Sequence, residues 1–299
     1  MPSLDDLKKR IKSVKSTQKI TKAMKMVAAA KLKKAQENAE KGRPYSEKLQ
    51  NIILNLTKSI SDDTNAPKLL AGNGKDKIYL CVVITADRGL CGGFNSNICK
   101  LAKNHFKNIL KEGKVLKIMT VGSKGHDQIK TDYSKYIIDK KSFKEKKQIS
   151  FKEANEIGKK VIELYEQEQF DKCFIFYNNF KNVITQIPKA EQIIPTFVKK
   201  DEKVKDDTFL YEFEPDEDEI LEDLLPKNVS IQIFKAFLEN AASEQGSRMT
   251  AMDNATRNAG DLVEKLTINY NRSRQASITK ELIEIISGAE SLWWIKKVL

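Results

Sequence analysis

The sequence predicts an α/β fold combined with a long antiparallel coiled coil, in which N- and C-terminal helices bracket the α/β domain. Near each terminus, apolar or small residues recur at steps of three and four over long stretches, the pattern of paired helices. Between these stretches, short apolar runs rich in β-branched residues alternate with amphipathic segments, the pattern of a mostly parallel sheet. Because the two helical stretches bracket the insertion, one can return beside the other.

The C-terminal stretch carries the clearer helical signal, with no proline between Asn228 and Leu292. Pro226 as a breaker and Asn228 as an N-cap predict that the helix starts at Val229. The predicted seam, meaning the residues that face a partner helix, consists of Met252, Ala255, Ala259, Leu262, Leu266, Asn269, Ser273 and Ala276. Because its last members are small or polar, this face buries little area there, and we expect the far end of the helix to rest against another surface.

The N-terminal stretch, from residue 3 to about residue 58, predicts the second long helix. Its seam starts with Leu4, Leu7, Ile11, Val14, Gln18 and Thr21, and a second apolar line follows at Ile20, Met24, Val27 and Ala28. The Gly42-Arg43-Pro44 segment predicts a kink or an interruption before the helix resumes.

The central region predicts an α/β domain of Rossmann-like type from about residue 76 to 200, after a linker over 62–77. Buried strands are predicted at Ile78–Thr85, Val115–Val121 and Lys172–Tyr177, with one or two edge strands in 182–197. Helices are predicted at about 96–112, 122–130 and 151–169. The predicted domains are therefore 1–60 (N-terminal coiled-coil helix), 76–225 (inserted α/β foot domain) and 226–299 (C-terminal coiled-coil helix).

The charge of the chain, +12 in total, is unevenly distributed. Residues 1–60 hold 15 lysines and arginines against 5 acids, whereas residues 201–225 hold 12 acids against 2 lysines. The basic stretch lacks zinc-finger motifs, RNP motifs and interleaved aromatic residues, so nucleic acid is not the expected partner. No apolar run is long enough to span a membrane, and the first residues resemble neither a secretory signal nor a typical transit peptide.

The sequence offers little for bond chemistry. The four cysteines form no C-x-x-C pair, and with only two histidines neither a metal site nor a base and nucleophile pair is expected. The turn Asp87–Asn95, between a strand and a helix, lies where phosphate loops occur, but it matches no phosphate-loop motif. Glycines that permit a tight turn are the favoured interpretation, and a nucleotide site is the alternative. No cofactor is expected.

Four long motifs, in order along the chain, carry a family resemblance. They are Gln18–Lys31, the Asp87–Asn95 turn, the segment from Ala242 to Thr256, and Asn271–Leu282, which reads N-R-S-R-Q-A-S-I-T-K-E-L. Together they resemble the gamma subunits of the F-type ATP synthase, over essentially the whole chain.

The resemblance implies a central-stalk rotor without catalytic residues of its own, which couples rotation of a proton-driven c ring to the conformational cycle of the catalytic sites. It implies that the helix pair stands inside a ring of alternating alpha and beta subunits, while the α/β domain lies beside the epsilon subunit on the c ring. The only link to the membrane would be the c ring, at the cytoplasmic face of a bacterial inner membrane or, alternatively, at the matrix face of the mitochondrial one.

The resemblance also implies contact residues. Arg274 and Gln275 match positions that contact an acidic loop of the beta subunit, and Lys22, Met24 and Lys25 match the neck, where the acidic lever of beta passes. Tyr211, Phe213 and Glu214 fall where the family meets the c ring. For Arg274 and Gln275, a solvated helix face is the alternative.

Three features depart from the family. The chain continues past the usual end with Trp293 and Trp294, it lacks the cysteine pair of the redox-regulated chloroplast form, and its 212–223 stretch is unusually acidic. Two other functions remain open at this point. A stand-alone nucleotide-binding enzyme with a helical arm would bind ATP or NAD through residues 76–225, and a coiled-coil scaffold would dimerise through its helices.

Overall fold

A computed structural model of the chain describes residues 3–59, 67–146, 149–196 and 217–298. The chain divides into two compact units, a larger one, Ala28–Thr250, and a smaller one formed by Met1–Val27 with Ala251–Leu299. Two long helices, α1 and α6, contribute to both units. The helices are α1 (Leu4–Ser59), α2 (Lys68–Ala71), α3 (Phe94–Lys111), α4 (Ser123–Tyr133), α5 (Phe151–Glu166) and α6 (Glu217–Val298), and the strands are β1 (Ile78–Ile84), β2 (Val115–Val121), β3 (Ile137–Lys141), β4 (Lys172–Phe180) and β5 (Gln186–Ile194).

The larger unit contains a five-stranded sheet in the order β3-β2-β1-β4-β5, parallel except for the antiparallel edge strand β5. The three buried strands and the edge strand in 182–197 are thus confirmed. β3 was not predicted, because as an edge strand it is only partly buried and reads I-I-D-K-K. The short helix α2 falls in the segment that was assigned to a linker.

Both faces of the sheet are covered, so this part of the fold has three layers. Alternate residues of β1 face opposite sides: Leu80 packs with the group that includes α5 and the first half of α6, and Cys81 packs with the group that includes α3 and α4. This arrangement explains why β1 is a continuous apolar run, since a strand buried on both faces has no polar side.

Helix α1 shows a single unbroken heptad pattern of burial. The buried or half-buried positions Leu4, Leu7, Ile11, Val14, Gln18, Thr21, Lys25, Ala28, Leu32, Ala35, Ala39, Gly42, Ser46, Leu49 and Ile53 follow one another at alternating steps of three and four. The predicted seam is therefore confirmed and continues well beyond Thr21. The second apolar line is only partly buried, since Ile20 and Val27 are each more than half exposed.

Helix α6 pairs with α1 in an antiparallel direction. In the smaller unit, Lys25 contacts Asp253 and Thr21 contacts Thr256, so the contacts run backwards along α1 as they advance along α6. In the larger unit, Arg43 contacts Glu239, and later residues of α1, Leu49 and Ile53, pack in one cluster with earlier residues of α6, Leu221 and Leu225. The predicted antiparallel helix pair is confirmed within each unit.

The seam of α6 differs in phase from the prediction. Met252, Ala259 and Leu266 are buried as expected, but Leu262, Asn269 and Ala276 are exposed. Their places are taken by the residues that follow each of them, Val263, Tyr270 and Ser277, which are half-buried. Steps of four and three from Met252 pass through Thr256, Ala259, Val263 and Leu266. The prediction placed Leu262 on the seam because leucine is the larger apolar residue, but the spacing places Val263 there.

Neither predicted helix break occurs. Helix α6 begins at Glu217, so the predicted start at Val229 is wrong, and Pro226 lies inside the helix. Leu221 and Leu225, in the turns before this proline, pack in one buried cluster with Leu49 and Ile53 of α1, which offsets the lost backbone hydrogen bond. Helix α1 likewise continues through Pro44, so an interruption at 42–44 is also wrong, and the alternative of a kink there stays a prediction.

Among the described residues, no helix is long and apolar enough to cross a membrane.

Candidate functional site

The sheet of the larger unit has a switch point between β1 and β4, where the strand order reverses. In open α/β sheets, small ligands bind in the crevice outside the carboxyl ends of the strands at such a point. Here β1 ends at Ile84 and its pairing with β4 ends at Val83 and Phe176, but β4 continues for four residues to Phe180. The crevice that this leaves beside the end of β4 is occupied by side chains of α6.

Three polar residues on one face of α6 fill the crevice. Asn240 Oδ1 accepts a hydrogen bond from the backbone N–H of Asn178 at 3.1 Å, and Ser243 Oγ donates to the carbonyl of the same residue at 3.1 Å. Glu239 Oε2 accepts from the N–H of Phe180 at 3.0 Å. All three side chains are buried. The place where a nucleotide would bind is therefore taken by the chain itself.

Helix α1 reaches the same place through one residue. The guanidinium of Arg43 donates to Glu239 Oε1 at 2.8 Å and to the carbonyl of Phe180 at 3.4 Å. Because the Glu239 side chain is almost fully buried, the hydrogen bonds from this guanidinium and from the N–H of Phe180 replace those that its carboxylate would otherwise make with water. We call the set Arg43, Glu239, Asn240 and Ser243, with the end of β4, the strand–helix joint.

The glycine turn 87–95 is held by its own side chains. Asn95 Oδ1 accepts from the N–H of Ala86 at 2.9 Å, and the turn has positive φ at Leu90 and Gly92, 63° and 56°. A left-handed backbone at Gly92 carries no steric cost, which explains a glycine there. This geometry fits the interpretation that the glycines permit a tight turn.

Asp87, at the start of that turn, is also fully engaged. Its carboxylate accepts from the N–H and hydroxyl of Ser123, from the hydroxyl of Ser142 and from the N–H of Phe143, at 2.7–3.0 Å. Burial opposes ionisation, but the hydrogen bonds from Ser142, Ser123 and Phe143 outweigh it and hold the pKa of Asp87 below its ordinary value. Asp87 thus fastens the turn to the first residue of α4 and to the loop after β3.

Helix α6 contacts the outside of the turn through Arg248. Its guanidinium lies 3.5 and 3.3 Å from the carbonyl oxygens of Arg88 and Gly89, and it forms an ion pair with Glu244 at 2.7 Å. Burial raises the pKa of Glu244 above its ordinary value, although Arg248 opposes the shift. The turn therefore presents carbonyl oxygens to a cation of the chain, an arrangement that disfavours a phosphate there.

The predicted neck residues differ in exposure. The side chain of Lys25 lies beside Asp253, with Nζ 2.6 Å from its carboxylate, while Lys22 is exposed and Met24 is half-buried. The ammonium of Lys25 and the guanidinium of Arg257 hold the pKa of Asp253 below its ordinary value. Because the Lys25 side chain remains 42% exposed, solvent screens this pair, and it contributes little to stability.

The predicted contact residues near the end of α6 are separate from the neck. Arg274 and Gln275 are exposed, about 30 Å along the helix from Asp253 at 1.5 Å per residue. The predicted c-ring contacts Tyr211, Phe213 and Glu214 lie outside the described residues. Among the described residues, no group of three or more His, Cys, Asp or Glu side chains is placed to hold a metal ion.

The predicted contact residues do not include the most unusual surface of the smaller unit, which is exposed and apolar. Near the end of α6, five large side chains are 48–67% exposed, namely Ile278, Leu282, Ile283, Ile285 and Ile286. On α1, Ile20 and Met26 are 57% and 68% exposed. The signal was present in the sequence, because these residues lie off the heptad seam. Large exposed apolar groups of this kind mark surfaces that bind other molecules.

Comparison with known proteins decides the family. A family model described as ATP synthase matches residues 3–292. A curated ATP synthase gamma chain of Pelagibacter ubique is 69% identical over 98% of this chain and 100% of its own length, and that of Rhizobium etli is 55% identical over the same shares. The chain belongs to the ATP synthase gamma family.

Solved structures agree with this membership. The central stalk of the Tetrahymena thermophila mitochondrial ATP synthase matches with a TM-score of 0.58 at 28% identity, covering 79% of this chain and 99% of that one. A chain of the Euglena gracilis mitochondrial enzyme matches with a TM-score of 0.65 over 97% of this chain and 94% of that one, and at 20% identity it shows the fold alone. Family and fold together make this chain a central-stalk rotor subunit, and the resemblance found from four motifs is confirmed.

Proposed function

We propose that this gamma chain turns inside a hexamer of alpha and beta subunits and couples c-ring rotation to ATP synthesis and hydrolysis at the beta-subunit sites. The observation that carries the proposal is the exposed apolar surface near the end of α6. Five large aliphatic side chains within nine residues are costly in water, at about 25 cal/mol per Å² of exposed apolar area. A surrounding sleeve of subunits removes that cost at every rotor angle, because apolar contact has no preferred direction.

Contacts that depend on the rotor angle are made by polar side chains on the same helix. Arg274 and Gln275 are exposed beside the apolar residues, and a guanidinium can bind a carboxylate of a beta subunit in a forked geometry. Such a contact forms at one rotor angle for each beta subunit. Rotation therefore shifts the conformational equilibrium of each site by the free energy of contacts that are made and lost.

The neck residues add a second set of contacts. Lys22 is exposed, and Lys25 is paired only in part, so acidic groups of a passing beta subunit would meet positive charge there. Met24 and its exposed neighbour Met26 give the same region adaptable apolar contacts.

The α/β domain is the proposed foot, which contacts the epsilon subunit and, through Tyr211, Phe213 and Glu214, the c ring. The division into residues 1–60, 76–225 and 226–299 remains part of this proposal. The subunit meets the membrane only through the c ring, at the cytoplasmic face of the bacterial inner membrane, or at the matrix face in a mitochondrion.

The subunit performs no bond chemistry of its own in this proposal. The crevice at the sheet switch point is filled by Glu239, Asn240 and Ser243, which supports a rotor over a nucleotide-binding enzyme. The pairing of α1 with α6 within one chain likewise supports a rotor over a scaffold that dimerises through its helices.

Co-expression with alpha and beta subunits from the same organism tests the proposal. We expect a complex with one copy of this chain that hydrolyses ATP, whereas the isolated chain does not. In the double variant Arg274→Ala, Gln275→Ala we expect turnover to fall about tenfold, because hydrogen bonds to charged groups contribute about 1.5–3 kcal/mol. The matched control is Asn271→Ala with Arg272→Ala, an exposed amide and arginine on the same helix, which should stay near wild type.

Two outcomes would count against the proposal. If no complex forms with alpha and beta, the hexamer is not the partner. If the two double variants lose activity equally, the effect is one of helix stability or general charge, and Arg274 and Gln275 are not specific contacts.

A further inference from the structure

The end of β4 beyond Phe176 has a strand on one side only. β5 pairs with it from Tyr177 to Phe180, but on the other side β1 has already ended. The backbone groups of Asn178 and Phe180 that face this side are therefore without a strand partner. A buried backbone polar group without a hydrogen bond costs free energy, so these four groups need partners from elsewhere in the chain.

The two long helices supply all four partners. The N–H and carbonyl of Asn178 bond to Asn240 and Ser243, and the N–H and carbonyl of Phe180 bond to Glu239 and Arg43. Two helices thus take the position of a missing strand through side chains. Positions 239, 240 and 243 lie on one face of α6, since residues three and four apart are neighbours on a helix surface.

Hydrogen bonds of this kind restrict motion in a way that the surrounding apolar contacts do not. Leu32, Phe180 and Ala242 pack beside the joint, and such packing resists separation more than it resists sliding or turning, because it is not directional. The four hydrogen bonds depend on distance and angle. Turning the sheet about α6 would break them together and leave buried groups unpaired.

We infer that Glu239, Asn240, Ser243 and Arg43 form the torque joint of the rotor, which prevents the α/β domain from slipping around the helix pair under load. This inference rests on the proposed function, because it requires that the α1–α6 helix pair, which we call the shaft, transmits rotation to the α/β domain, the foot. These are positioning residues, since none of them touches a nucleotide site. They act by keeping the α/β domain in register with α6, which continues as one helix from Glu217 to Val298.

The test uses the full synthase in membrane vesicles and the double variant Asn240→Leu, Ser243→Ala, which removes both partners of Asn178. Each lost partner should shift the equilibrium between a seated and a slipped joint about tenfold. Hydrolysis needs only the shaft inside the hexamer, whereas pumping also needs the foot. We therefore expect near-normal ATP hydrolysis, while protons pumped per ATP hydrolysed fall about threefold against a high opposing proton gradient and less at low gradient.

The matched control is Asp223→Ala with Lys227→Ala, which removes a hydrogen-bonded pair on an exposed face of the same helix. Its pumping-to-hydrolysis ratio should equal that of wild type at every gradient. A double variant that assembles, hydrolyses ATP and keeps the wild-type ratio at high gradient would overturn the inference. If that double variant does not assemble, the single variant Asn240→Ala, judged by the same ratio, decides in the same way.

The outcomes separate this inference from the proposed function. If the wild-type chain gives neither hydrolysis nor pumping with its partner subunits, the proposed function fails, and the joint has no torque to carry. If wild type works and the ratio does not respond to the variants, only the joint is refuted.

Discussion

Replacing Gly122 by alanine should destabilise the α/β domain more than the same replacement at Gly113 or Gly158. Gly122 follows β2 and has φ +100°, in the left-handed region. A Cβ there would overlap the carbonyl oxygen of Thr85 and lie 2.7 Å from its carbonyl carbon, where ordinary contacts begin at 3.4 Å. Thr85 cannot move away freely, because its N–H donates to Val121 at 2.8 Å and its hydroxyl accepts from the N–H of Gly125 at 3.0 Å.

The magnitude has two parts. A non-glycine residue at such a φ costs about 1–3 kcal/mol, and forcing an extra carbon into packed surroundings costs about 1–3 kcal/mol more. We therefore expect Gly122→Ala to lower the free energy of unfolding by about 4 kcal/mol. Gly113→Ala is the matched control, since its φ is +72° but no atom lies within 4 Å of an added Cβ. Backbone strain alone should cost that variant about 1–2 kcal/mol.

The measurement is urea-induced unfolding of the full chain, together with hydrogen exchange of the β1 and β2 amides, which reports on the sheet directly. The difference between the two variants, about 2–3 kcal/mol, isolates the steric contact with Thr85. Equal losses in both variants would refute the reasoning, because they would mean that Thr85 yields to the methyl group.

Three further predictions follow from buried or closely packed positions. The ammonium of Lys146 and the hydroxyl of Ser150 lower the pKa of Glu153 from 4.5 to about 2. The stability that ionised Glu153 contributes is therefore complete above pH 4.5 and is lost as the pH falls toward 2. In the variant Glu153→Gln, the free energy of unfolding should depend less on pH between 4.5 and 2. Burial raises the pKa of Cys99 to about 11, so it should resist maleimide at pH 8 until the chain is denatured, and fast labelling would contradict this burial. Gly158→Ala improves helix propensity by about 1 kcal/mol, but it places a methyl group 3.1 Å from the Cα of Ser230 on α6. The steric cost should be the larger effect, so calorimetry should show a lower melting temperature. A higher melting temperature would mean that α5 can move away from Ser230.

The sheet could be predicted because its central strands have a distinctive sequence pattern. β1 is buried on both faces, and seven consecutive apolar or aromatic residues have no other common use in a chain rich in charge. β3 was missed for the opposite reason, since an edge strand needs apolar residues on one face only, and Asp139 and Lys141 conceal the pattern. The predicted helix starts and breaks were wrong where tertiary packing outweighs local helix preference. At Pro226, for example, the buried side chains of Leu221 and Leu225 stabilise the helix.

The strand–helix joint left a weaker trace in the sequence. Glu239, Asn240 and Ser243 interrupt a stretch of α6 in which Ile233, Phe237 and Ala242 are buried. Polar residues on an apolar helix face indicate buried hydrogen bonds, because an unpaired polar group there is costly. The sequence could therefore have indicated that these residues have partners, but not that the partners are backbone groups at the end of β4, which depend on where β1 ends.

The neighbours Ile20 and Thr21 show what a helical pattern leaves open. Thr21 is buried against α6, where its hydroxyl meets that of Thr256 at 2.8 Å, whereas Ile20 is 57% exposed. If α1 had only α6 as a partner, the opposite order would be more stable, because burying an isoleucine in place of a threonine removes more apolar area from water. Between Gln18 and Ala28, the seam used within the chain is thus more polar than the neighbouring line that contains Ile20 and Val27. The more apolar line keeps Ile20 and Val27 exposed, and an exposed apolar surface of this kind is one that binds other molecules.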